Sequence, residues 1–151
     1  MIRSALLTLV MLSFASTADA WETPRQALDE FLAFELDGGR LQSWPFATYL
    51  DVVDEYDEPG WDSVHVVRGA EVVSFDCAKT QCDARVRFDF EPTTTFESER
   101  AMPHPDGGSE TLEFTVVRSK GQWRLAASGD YPRVTLDALR KRGLVVEHDH
   151  P

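Results

Sequence analysis

The sequence is short of positive charge. Its 151 residues hold 15 Lys and Arg against 26 Asp and Glu, a formal net charge of -11. Phosphate recognition needs clustered cations, so this balance argues against nucleic acid as a partner. Cysteine is scarce too, with only Cys77 and Cys82. Two thiolates without further Cys or nearby His make a poor zinc site, and their spacing is not the C-x-x-C of a thiol–disulfide enzyme. No metal and no cofactor is expected. The chain has no glycine-rich phosphate loop, no internal repeat and no low-complexity tract. No G-x-S-x-G marks a nucleophilic serine. Beyond residue 14 no second long apolar run occurs, which excludes a stable membrane-spanning helix in the remainder.

What is present starts at the N-terminus. Met1-Ile2-Arg3 is a short positive region, an apolar run follows from Ala5 to Phe14, and Ala18-Asp19-Ala20 supplies an A-x-A cleavage site. These parts in this order predict a secretory signal peptide over 1–20, cleaved before Trp21. The apolar run is shorter than the roughly twenty residues a bilayer span requires. The expected location is periplasmic or secreted. A single domain is expected over 21–143, followed by a polar, frayed tail over 144–151. In an oxidising compartment Cys77 and Cys82 are expected to pair as a disulfide. The acidity suits solubility and attraction to a basic partner.

Thr23-Pro24 reads as a helix start, with Thr as cap and Pro in the first turn. Ala27, Leu28, Phe31, Leu32 and Phe34 follow at helical spacing, and Gly38-Gly39 ends the helix. A second helical stretch is predicted from about Leu41 to Val53, then an acidic loop from Glu55 to Asp62. From Val64 the period becomes two. Ala84, Val86, Phe88 and Phe90 alternate with Arg85, Arg87, Asp89 and Glu91, the pattern of a half-buried antiparallel strand. Pairing Cys77 with Cys82 across a hairpin sets Phe75 opposite Ala84 and Val73 opposite Val86, so the apolar row shares one face. Part of Pro92–Ser109 extends that strand and the rest is a long loop. A second hairpin turns at Lys120-Gly121, with Ser119 facing Gln122, Val116 facing Leu125 and Phe114 facing Ala127. Val134 to Leu139 reads as a short helix. The order is that of an α+β fold, N-terminal helices on a curved antiparallel sheet.

The opening run Pro24-Arg25-Gln26-Ala27-Leu28-Asp29-Glu30-Phe31-Leu32 with its Asp37-Gly38-Gly39 end, and the closing hairpin around Gly121-Gln122-Trp123-Arg124-Leu125, resemble the nuclear-transport-factor-2-like superfamily over roughly Pro24 to Leu139. That resemblance implies a cone of helices against a curved sheet. The fold hosts isomerases, dehydratases, ligand binders and interaction modules, so it implies architecture before activity. The resemblance places acids, Tyr or His inside the cone. Tyr49, Asp54, Tyr56, His65 and Asp89 are the residues here that could supply a general acid/base pair. Trp61 and Phe96 fall in loop or edge regions and are candidates for lining a pocket or anchoring a partner. His104 lies in the long loop, and His148-Asp149-His150 sits in the tail.

Three readings follow. The favoured one is an exported, non-enzymatic domain binding a small apolar ligand or a protein, with an acidic immunity or inhibitor protein against a basic partner as a concrete variant. A small isomerase, dehydratase or hydrolase using the cone interior is the second. The third is a structural accessory of an envelope assembly, with a filled cone. Oligomeric state is not legible.

Overall fold

The computed structural model describes residues 21–41, 63–97, 100–102, 108–126 and 131–144, with the backbone alone at 63, 92–97 and 100–102. Helix α1 spans Pro24–Leu36. Thr23 caps it, its Oγ1 accepting from the Gln26 N–H at 3.2 Å, and Pro24 stands where a missing N–H costs nothing. Gly38, at φ +76°, takes the left-handed position that ends the helix. A 3₁₀ turn over Gly39–Leu41 follows. The rest of the predicted second helix lies outside the described residues.

The strands are β1 (Ser63–Cys77), β2 (Gln81–Glu97), β3 (Arg100–Met102), β4 (Ser109–Ser119), β5 (Gln122–Leu125) and β6 (Arg133–Thr135), and α2 (Leu136–Lys141) closes the described chain. They form one curled sheet in the order β5-β4-β2-β1-β6, with β3 pairing along the far end of β2. The class is α+β, as the sequence order implied.

Both hairpin turns sit where the pattern put them. Cys77 pairs with Cys82 and Phe75 with Ala84, while Ser119 pairs with Gln122 and Val116 with Leu125. Strand β5 ends at Leu125, and Ala127 lies outside the described residues. The sulfurs of Cys77 and Cys82 are bonded. The residues from Pro92 to Glu97 do extend β2, and β3 folds back on them.

Two expectations need correction. Val73 does not face Val86. A register shift between Val72 and Ser74 makes Val73 the extra residue of a bulge, so Val72 opposes Val86 and Val73 is left exposed. A bulge places two residues of one strand against one of its partner, a count that a strict period of two cannot foresee. Two further shifts interrupt β1 between His65 and Gly69, and such bulges bend the strand into the curl. Second, the sheet is mixed rather than purely antiparallel. Val134 begins no helix; it sits in β6, which runs parallel to β1 with Val66 opposite Val134. The open edge of β1 offers burial and ladder bonds that overrode the helical reading of Val134 to Leu139, and the helix starts only at Leu136.

Helix α1 covers one face. Ala27, Leu28 and Phe31 are fully buried against Val86, Phe88, Val116 and Leu125, so this part of the face is filled by side chains. A buried Phe such as Phe31 contributes about 1.5–3 kcal/mol from its apolar area. A smaller cluster, Val64, Val66, Val134, Ala138 and Leu139, seats α2 against the β1–β6 edge.

Candidate functional site

Helical spacing carries the buried stripe of α1 one turn beyond Leu28 and Phe31 to Glu35, which is wholly buried. There it meets two arginines. Arg40, in the 3₁₀ turn, donates from Nη1 to Glu35 Oε1 at 3.0 Å, and both side chains are sealed from solvent. Arg133, on β6, donates its backbone N–H to the same oxygen at 3.3 Å, and its Nη1 lies 3.8 Å away. Arg133 goes on to Glu110 of β4 through Nε at 2.6 Å, to the Tyr131 carbonyl through Nη1 at 2.9 Å, and lies over the Phe88 ring at 4.9 Å. Glu35 Oε2 is buried without a hydrogen-bond partner. Burial pushes the Glu35 carboxyl above its ordinary range, and Arg40 and Arg133 pull against that shift. Two carboxyl groups and two guanidiniums thus meet in the cluster. Its hydrogen bonds tie α1, the 3₁₀ turn, β4 and β6 to one another, the arrangement of a brace.

Among the described residues, no element covers the other face of the sheet. Along it stand Glu71 and Asp76 of β1, Asp83, Arg85, Arg87 and Asp89 of β2, and Glu113 of β4. A groove of about 260 Å³ runs across the three strands, lined by Ser74, Asp76, Asp83, Ala84, Arg85, Glu113, Phe114 and Thr115. Asp76 and Asp83 are direct cross-strand partners, a like-charged placement that costs stability in a sheet. Thr115 donates to Asp83 at 3.0 Å and Gln81 to the same carboxylate at 3.0 Å. Arg85 faces Glu113 across the ladder. Farther along, Arg87 pairs with Glu71 and lies 3.5 Å from Asp89.

The predicted site residues divide. His65 lies on β1 beside Arg133, its ring 5.5 Å from that of Phe90 and 5.8 Å from that of Tyr131, with Tyr131 53% exposed. Asp89 stands with Arg87 on the open face, so the structure does not bring it to His65. Tyr49, Asp54, Tyr56 and Trp61 lie outside the described residues, as do His104, His148 and His150. Phe96 pairs with Val64 and Ala101 in the ladder, and its side chain is outside the description. Among the described residues no group of three or more His, Cys, Asp and Glu could hold a metal ion, and no helix is long and apolar enough to cross a membrane.

Sequence reasoning did not single out Glu35, Arg40, Glu110 or Arg133. One signal existed for the first of them: an acid at a core position of an apolar stripe needs a cationic partner. Nothing local pointed to Arg133, 98 residues away. Comparison with protein-family models, curated proteins and solved structures finds no match to this chain.

Proposed function

We propose that this is an exported, non-enzymatic interaction domain that engages a basic protein through its open sheet face. The observation that carries the reading is the contrast between the two faces. Among the described residues, one is covered in part by α1, and the other presents a groove bordered by Asp76, Asp83 and Glu113, with Arg85 among them. A chain of net charge -11 steers cationic partners toward that face and repels anionic ones. An immunity or inhibitor protein against a basic partner is the concrete form. The signal-peptide pattern over 1–20 and the Cys77–Cys82 disulfide support work outside the cytoplasm. Trp21, at the expected new N-terminus, is buried and its indole N–H donates to Glu30 at 2.6 Å, a contact that lies on the mature side of the expected cleavage. A helix on a curled sheet also supports the cone-shaped fold of the nuclear-transport-factor-2-like superfamily.

The test is capture of basic proteins from an envelope extract on wild type and on an Asp76→Lys, Asp83→Lys, Glu113→Lys triple variant. Wild type retains a basic partner at low salt and releases it as the Debye length falls from about 10 Å at 0.1 M toward about 3 Å at 1 M. Equal retention by the triple variant would refute the assignment of the face.

A second reading is favoured by the aromatic group His65, Phe90 and Tyr131 at the end of the sheet. Exposed Tyr131 against the His65 ring, which in turn meets Phe90, suits a small apolar or aromatic ligand. Tyr131→Ala then abolishes binding of such a ligand and leaves partner capture intact.

A further inference from the structure

Strand β6 and helix α2 make a small C-terminal unit, and several of its polar ties meet one short run of α1 and its cap. The Arg133 backbone N–H and guanidinium meet the Glu35 carboxylate. The Thr135 hydroxyl donates to the Leu36 carbonyl at 3.2 Å. Arg142 donates from Nε to the Asp37 carbonyl at 3.0 Å. Glu35, Leu36 and the cap residue Asp37 thus hold the unit at the start of β6, at the N-cap of α2 and at the C-cap of α2. On its other side the unit joins the sheet at three ladder positions, His65–Arg133, Val66–Val134 and Val67–Thr135, and Arg133 Nε reaches Glu110 of β4 at 2.6 Å.

The ties differ in kind. Val134, Ala138 and Leu139 supply a compact apolar seat on Val64 and Val66. The Glu35 tie is polar, fully buried and incompletely satisfied, because Oε2 has no partner. A buried ion network is worth little net when intact, yet losing one member leaves charge uncompensated in the interior. Such a link is close to balance, unlike the apolar core under α1. It also serves as the cover of the sheet edge, since Glu35 takes up the N–H of the edge strand.

We propose that residues 133–144 form a clasp that opens and closes on the edge of β1 as one unit, with Glu35 as its latch. The charged groups around the latch are Arg40 from the 3₁₀ turn and Arg133 from β6. Glu110 of β4 is reached through Arg133, and His65 of β1 neighbours it. Opening uncovers Val64 and Val66 and frees the β1 edge while α1, β2, β4 and β5 stay in place. Local openings of this kind lie below global unfolding in free energy and are read by amide exchange.

The experiment is hydrogen exchange, read by mass spectrometry on the full chain, for wild type, Glu35→Gln and Arg142→Ala. Glu35→Gln keeps shape and removes the charge. Arg142→Ala cuts the solvent-side tie without touching the core. In wild type, amides of 133–144 exchange together and faster than those of 82–90 and 112–117. Glu35→Gln speeds that segment relative to wild type at low pH, less so as pH climbs, with little change elsewhere, and Arg142→Ala speeds it several-fold. Should Glu35→Gln not fold, the wild type and Arg142→Ala comparison decides alone. An increase spread evenly over β2 and β4, or a clasp as protected as those strands in every protein tested, overturns the proposal.

Discussion

Glu35 shows how one residue can be both brace and liability. Its carboxyl is raised because burial disfavours the charged form more than Arg40 and Arg133 favour it. A group with a raised folded pKa binds its proton more tightly in the fold. Its contribution is full below the ordinary value near 4.5 and is lost as pH rises through the raised value. Unfolding free energy, measured against pH for wild type and Glu35→Gln, should therefore show wild type losing ground to the variant as pH climbs through that window. A gap that stays constant, or widens in favour of wild type, contradicts the sign. Gly39 gives a steric prediction at the same scale. A Cβ there would come within 2.2 Å of the Phe34 ring. Gly39→Ala therefore forces the ring aside, at a cost of about 1–3 kcal/mol in denaturant unfolding.

The elements argue from pairing. The disulfide joins directly opposite residues and closes a loop of sequence separation 5. Loop entropy for so short a closure is small, so the Cys77→Ala, Cys82→Ala double variant should lose only about 2 kcal/mol in thermal or denaturant unfolding. The bridge also holds register, because a slip by one residue would turn Ala84, Val86 and Phe88 to the open face. The bulge at Val73 is tested by contrast. Val73→Lys should change stability by less than about 0.5 kcal/mol, since the side chain is already exposed. Val86→Ala, at a fully buried position, should cost on the order of 1–3 kcal/mol. Equal costs would return Val73 to the inner face.

For the whole molecule, the charge and the filled face belong together. Among the described residues, α1 is seated on one side of the sheet and the face opposite is polar, its carboxylates outnumbering its arginines. Association with the basic partner proposed above should therefore depend on salt chiefly through its on-rate, with the off-rate changing less, as measured by surface-based kinetics at several ionic strengths. An on-rate indifferent to salt would place the contact away from this face.

How much of this was legible in the chain follows from the range of each force. Caps, turns and alternation act over a few residues, so α1, the register of both hairpin turns and the Cys77–Cys82 pair could be read directly. The composition set the sign of the surface. The bulge at Val73, the parallel seat of β6 and the Glu35–Arg40–Arg133–Glu110 brace could not be read. Each depends on what a distant segment offers: an open strand edge for Val134, and a buried guanidinium for Glu35. The amphipathic pattern says that a side chain goes inside, while only the tertiary structure decides which distant residue meets it there.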